Sequence, residues 1–253
     1  MTKYILYGWH NCASASIRWI LAELGVAYEY RLVNLARGVE EQRDPSFRAL
    51  NPKGRVPILL IGDEHEPLSE SGAIAFYLGE SHPDAGLLPA VGTPGRNKFL
   101  ETYTFVINSH LPVMRDWLQV IREVEDGPLQ AAVAKGGALP VPLASDAAEV
   151  RGIRKLALRR LVANLGVLEA ELADHDYLAF RDSPSVIDFV FTITTTWEPF
   201  IHQLIANKFP NLKAYRERMH ARPTWAPLAI EEKVAEDLGP LRDWEQEYAA
   251  FLQ

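Results

Sequence analysis

One cysteine, Cys12, stands in a chain of 253 residues, and with no second thiol there is no internal disulfide to form. A reducing cytoplasm is the simplest compartment for such a chain. Metal ligands are scarce in the same way. The seven histidines show no ligand spacing and there is no cysteine pair, so no metal site is expected. No apolar run approaches the roughly 20 residues that span a bilayer. The opening "MTKYILYG" lacks the charged, apolar and small-residue regions of a secretory leader. Basic residues number 26 against 33 acidic ones, for a net charge of -7 spread along the chain. That balance argues against a nucleic-acid or anionic-membrane partner, whose phosphates want a basic face. The remainder is ordinary globular composition, 48% hydrophobic and 23% charged, and long enough to bury one large or two modest cores.

Strand and helix patterns alternate through the first eighty or so residues. "YILY" is a short apolar strand. Ile17, Ile20, Leu21 and Leu24 follow at i, i+3, i+4 and i+7, the spacing of a helix with one buried face, and Gly25 ends it. "AYEYRLV" sets Tyr28, Tyr30 and Leu32 against Glu29 and Arg31, a half-buried strand. "RDPSFRALNPKG" holds a short helix and a turn, "VPILLIG" is a strand, "GDEHE" a tight turn, and "PLSES" leads into a helix with Ile74, Tyr77 and Leu78 on one face. The order is βαβαββα. "HPDAGLLPAVGTPG", rich in Pro and Gly, then marks a boundary. Beyond it the pattern is helical, with Leu100, Tyr103, Thr104 and Ile107 forming one stripe and a long helix over about Ala147 to Leu172. Glu125 to Ser145 has little pattern and reads as a long loop or a broken helix. Trp197 to Pro199 kinks or ends the helix that "SPSVIDF" opens.

Four motifs in this order, "NPKGRVPIL", "LSESGAIAFYL", "SPSVIDF" and "FPNLKAYRERMHARP", give a chain that resembles the cytosolic glutathione transferase family over nearly its whole length. Glu125 to Ser145 is the main departure. The resemblance implies an α/β thioredoxin-like N-terminal domain over 1–82, a linker over 83–96 and an all-α C-terminal helical domain over 97–253. It also implies glutathione as cosubstrate and a two-fold homodimer. Pro57 would be cis, a state found in about one X–Pro bond in twenty. That would turn the N–H and C=O of Val56 outward to pair with the cysteinyl part of glutathione as an added strand.

Some of these residues carry a physical reading of their own. "SES" starts a helix, where free N–H groups and the helix dipole favour an anion. Ser71 suits a carboxylate and Glu70 an ammonium, the two charges of a γ-glutamyl end; plain capping accounts for the same residues. Arg55 suits a glycyl carboxylate, and equally a solvated surface. Ser185 and Asp188 have capping-box spacing and are assigned to stability.

The sulfur-handling residue stays open among several positions of "YGWHNCASAS". Reading the chain without gaps against the tyrosine-type classes puts Tyr7 on their catalytic tyrosine. The serine-type classes put the role at Asn11 or Cys12, and the bacterial cysteine-type class puts it at Cys12. Ser14 lies near the helix start as a further candidate. A thiolate needs donors and positive potential, which a helix N-terminus supplies. Ala15 stands where a C-x-x-C pair would need its second cysteine, which excludes dithiol chemistry.

The resulting expectation is a cytoplasmic transferase that conjugates glutathione to small hydrophobic electrophiles or removes it from them. Trp9, Tyr103 and Trp117 would line a cleft between the domains. A Cys12-based thiol–disulfide reductase or peroxidase is one alternative; a non-catalytic interaction module on the same fold is another.

Overall fold

The computed structural model describes residues 4–36, 38–125, 147–180, 182–234, 248 and 250. Four short strands, β1 (Tyr4–Gly8), β2 (Glu29–Leu32), β3 (Ile58–Ile61) and β4 (Glu66–Ser69), form one sheet in the order β2-β1-β3-β4. β1 runs parallel to β2 and antiparallel to β3, and β3 is antiparallel to β4. Helices α1 (Ala13–Glu23), α2 (Pro45–Leu50) and α3 (Ser71–Ser81) complete the βαβαββα order read from the sequence.

Strand alternation decides which side chain meets which helix. Ile5, Ile58 and Leu60 point to one face and pack with Val33 and with Phe47 of α2, while Tyr7, Leu50 and Val56 border the same cluster. Tyr4, Leu6 and Leu59 alternate to the other face and are fully buried, as are Ile17, Ile20 and Leu21 of α1 and Ile74 and Leu78 of α3. Each such side chain contributes about 2 kcal/mol of burial. β2 departs from the half-buried reading: it is an edge strand, and Leu32 is 51% exposed. Its parallel register to β1 leaves it a single neighbour, so Tyr28 and Tyr30 are covered only in part.

The rest of the chain is helical: α4 (Arg96–Phe105), a π-helical turn (Val106–His110), α5 (Leu111–Glu125), α6 (Ala147–Glu171), α7 (Val186–Thr194), α8 (Pro199–Lys208), α9 (Pro210–His220) and α10 (Trp225–Glu231). The pattern-poor segment expected as a loop lies outside the described residues from 126 to 145. By compactness the chain divides into residues 1–103 with 169–253, and residues 104–168. In the second unit the π-helical turn and α5 bury Val106, His110, Val113, Met114 and Trp117, and Asn164 donates to the Ser109 carbonyl at 3.0 Å.

The stripe expected for α4 is shifted by one position. Phe99, Thr102, Val106 and His110 are buried, whereas Leu100 is 38% exposed. Phe99 packs its ring 5.4 Å from Tyr103 and 6.2 Å from Phe76, and that aromatic contact outweighs the aliphatic spacing. Trp197 to Pro199 ends one helix and starts the next: α7 stops at Thr194, and Pro199 is the first residue of α8, where a missing N–H costs nothing.

α7 is the buried axis of the first unit, with every residue from Val186 to Thr194 out of solvent and α1 and α3 packed on it. Trp19 of α1 lies 5.2 Å from Phe189 and 4.7 Å from Trp225. The predicted capping box is present. Asp188 accepts from the Ser185 N–H at 2.7 Å, from the Ser185 hydroxyl at 2.9 Å and from the Leu178 N–H at 2.9 Å. Asp188→Ala strands three buried donors, each costing about 1–3 kcal/mol. The total loss is expected to exceed about 3 kcal/mol, read as a fall in the urea midpoint, with Asp188→Asn losing less because one acceptor remains.

Candidate functional site

Pairing register brings three separate pieces of chain to one end of the sheet. Tyr7 stands opposite Ile58, and Ile58 opposite Ser69. Whatever follows β1, precedes β3 and follows β4 therefore emerges side by side: Trp9 to Cys12, Val56 with Pro57, and Glu70 with Ser71. The Val56–Pro57 peptide bond is cis. Neither the N–H nor the C=O of Val56 has a hydrogen-bond partner among the described residues. The turn before it is closed by Asn51, buried to 3% exposure, whose Nδ2 donates to the Arg55 carbonyl at 2.7 Å and whose Oδ1 accepts the Lys53 N–H at 3.2 Å.

Glu70 precedes α3 with φ 75, a left-handed backbone that a non-glycine residue adopts only where its surroundings impose it. Its carboxylate is bound by Lys53 Nζ at 2.6 Å, and Lys53 also donates to Ser69 Oγ at 3.1 Å. Ser71 is the first residue of α3, beside that helix's unpaired N–H groups. Arg55 is exposed. Lys53 and Asn51 escaped the sequence reading, although both lie within the quoted "NPKGRVPIL".

At the other corner Cys12 is the residue capping α1, half-buried, without a side-chain capping bond. Its Sγ donates to the Trp9 carbonyl at 3.2 Å and lies 3.1 Å from Ser14 Oγ. Burial pushes the thiol pKa up, with the hydrogen bond to Ser14 opposing the rise. Ser14 is fully buried and donates to the Trp9 carbonyl at 2.9 Å while accepting the Trp9 N–H at 3.1 Å. Gly8 makes that packing fit, since a Cβ there would stand 2.4 Å from Ser14 Cβ.

Asn11 has left-handed backbone, φ 42, a conformation asparagine tolerates. Its N–H donates to Glu232 Oε2 at 2.8 Å and its Oδ1 accepts from Thr196 Oγ1 at 3.0 Å. The Nδ2 group has no partner among the described residues. Tyr7 belongs to the α2 face of the sheet: its ring lies 6.2 Å edge-on to Phe47 and its hydroxyl accepts from Arg31 Nη1 at 2.7 Å. Trp9 lies 5.2 Å from the His10 ring. The Tyr103 hydroxyl donates to the Gly72 carbonyl. Trp117 is fully buried within the second unit. Thr196 and Glu232 had no local signal, being 185 and 221 positions from Asn11. No group of three or more His, Cys, Asp or Glu fit to hold a metal occurs among the described residues. No helix among them is long and apolar enough to cross a membrane.

A four-stranded mixed sheet with helices on both faces, an unpaired N–H and C=O before a cis proline and a helix start beside it define the thioredoxin-like class with an appended helical region. Residues 2–80 match the family model for the glutathione S-transferase N-terminal domain and residues 144–223 that for its C-terminal domain. The chain belongs to the glutathione S-transferase family. It is 44% identical over 88 residues to a maleylacetoacetate isomerase of Pseudomonas aeruginosa, a match covering 35% of this chain and 40% of that protein. The chain thus spans about 40% of the length of that curated relative. Among solved structures, a Sulfitobacter glutathione transferase homologue with bound glutathione superposes with TM-score 0.71 at 18% identity, over 93% of this chain and 100% of that one. A sphingomonad glutathione S-transferase complexed with glutathione gives 0.68 at 25% identity, over 91% and 100%.

A raised thiol pKa means that Cys12 is protonated at neutral pH. Its alkylation by iodoacetamide at pH 7 is expected to be slower than that of a free cysteine of pKa about 8.5, and to accelerate as pH rises. Ser14→Ala, which removes a bond favouring the thiolate, slows it further. Alkylation as fast as free cysteine at pH 7 contradicts this.

Proposed function

We propose that this protein is a glutathione-dependent transferase, with the peptide bound along Val56, Glu70 and Ser71 and its sulfur at the α1 corner. The observation that carries the reading is the convergence set by register. An unpaired backbone N–H and C=O pair at Val56, an acid at Glu70 and a helix start at Ser71 emerge together at the end of the sheet. An extended peptide would add to Val56 through main-chain bonds. Its terminal carboxylate would meet Ser71 and the α3 N-terminus, and its ammonium would meet Glu70. Lys53 and Arg55 supply cations for a second carboxylate. The glutathione bound in solved relatives supports the same ligand here.

For the sulfur, the geometry favours Asn11 over the other candidates. Cys12 is held as a thiol, Ser14 is used up in the turn, and Tyr7 is bonded to Arg31 on the α2 face. Asn11 retains an amide donor pair beside the first turn of α1. In the reaction class proposed, the thiol of glutathione loses its proton to solvent and the sulfur lone pair forms a bond to an electrophilic carbon, whose leaving group departs with its bonding pair. Asn11 Nδ2 and the positive end of the α1 dipole stabilise the negative sulfur before that step. The two-fold homodimer, the cytoplasmic location and a small hydrophobic electrophile belong to this proposal, and the non-catalytic module is its rival.

Calorimetric titration with glutathione tests it. Saturable binding is expected, weakened about tenfold or more by Ser71→Ala, the loss of one hydrogen bond to a charged group. Asn11→Ala is expected to bind comparably but to lower kcat toward a reactive aryl halide. Absence of binding at millimolar glutathione would sink the proposal in favour of the interaction module.

A further inference from the structure

α10 ends in a carboxylate where a helix end disfavours one. Lys233 takes left-handed backbone, φ 57, and the chain reverses over it. The Lys233 N–H donates to the Ile230 carbonyl at 3.1 Å and the Val234 N–H to the Ala229 carbonyl at 2.9 Å. This closure leaves Glu232 as the last residue before the reversal, with a side chain fully out of solvent. The negative end of the helix dipole repels an acid there, and burial removes its hydration. For stability alone the position is a poor one for glutamate.

Two contacts account for it. Oε1 pairs with Arg18 Nη1 at 2.6 Å, and Oε2 accepts the backbone N–H of Asn11 at 2.8 Å. One carboxylate thus spans a cation on α1 and the backbone of the residue just before the α1 cap. Thr196 holds the same residue by its side-chain oxygen at 3.0 Å. The left-handed turn at Asn11 is fixed from two places in the helical part of the chain.

We propose that Glu232 is a positioning residue of the sulfur corner: it locks the turn that presents Asn11 and Cys12, and with Arg18 it sets the potential felt by sulfur at that corner. The inference rests on the reading of this corner as the sulfur site. The charged and titratable groups around it are Arg18 on α1, Tyr28 and Tyr30 at β2, Glu231, Glu232 and Lys233 at the end of α10, and His10 in the loop. Arg18 is bonded to Tyr28 at 3.0 Å, lies 4.3 Å over the Tyr30 ring and also contacts Glu231. Burial raises the Tyr30 and Cys12 pKa values, and the charge of Glu232 pushes both further the same way.

Because Cys12 is the only cysteine, the pH dependence of iodoacetamide alkylation of the full chain reads this potential without glutathione. Glu232→Gln keeps an acceptor for Asn11 but removes the negative charge. Its profile is expected to move down by about half a pH unit, about threefold faster at pH 7. Arg18→Gln leaves the carboxylate uncompensated and is expected to move the profile up. A merely structural role loosens the corner in both variants and moves both profiles the same way, so shifts of like sign, or none, overturn the proposal. Should Arg18→Gln fail to fold, an unmoved Glu232→Gln profile still overturns it. Should Glu232→Gln fail to fold, Arg18→Gln with Glu232→Gln removes both buried charges of this corner, and a profile displaced from that of the parent protein by more than half a unit overturns it. A parent protein that binds no glutathione defeats the transferase reading and leaves this result standing on its own.

Discussion

The antiparallel register between β1 and β3 is the constraint on which the rest of the candidate site depends. Setting Tyr7 against Ile58 places Gly8 beside Pro57, and through β4 it places Glu70 and Ser71 in the same row. A slip of one residue would move Ile5, Ile58 and Leu60 off the α2 cluster and reverse every side chain on those strands. The apolar alternation that builds the core therefore also aligns three loops that share no local sequence feature. Register is enforced by burial worth many kcal/mol, and the convergence of the site follows from it without further stabilisation.

Given that convergence, the corner at α1 is a matter of electrostatic balance. The free N–H groups of a helix start favour negative charge, and Glu232 already stands close enough to take the Asn11 N–H. An anionic sulfur at this place shares the positive end of α1 with a carboxylate. Arg18, buried to 7% exposure, counters that carboxylate. The balance favours a sulfur brought in as a ligand and held by polar donors over the thiol of Cys12, because the hydration Cys12 has lost outweighs what its bonds to Ser14 and the Trp9 carbonyl return.

The sheet, α1, α3, the α7 cap and the break before Pro199 were legible in the sequence because each has a local cause: alternation, a 3.6-residue period, a capping pair, a missing N–H. The cis bond before Pro57 was legible only through family resemblance, since nothing in Val-Pro itself demands it. The α4 stripe was misplaced by one position because Phe99, Phe76 and Tyr103 form an aromatic contact that aliphatic spacing does not report. Lys53 and Asn51 were in view but had no assigned partner, because their roles depend on how "NPKG" folds back on Arg55 and Glu70.

Thr196 and Glu232 belong to a different class of information. They meet Asn11 across separations of 185 and 221 residues, so no window of sequence contains the contact. The family matches cover 2–80 and 144–223, and Glu232 lies beyond both. The stretches matched by the two family models supply the sheet, α1, Val56, Glu70 and Ser71. The group that holds Asn11 by its backbone comes from outside the matched stretches. A carboxylate placed against a helix dipole and out of water is costly enough that its position calls for a cause, and the only partners it has among the described residues are Arg18 and the corner where the sulfur chemistry is proposed to occur.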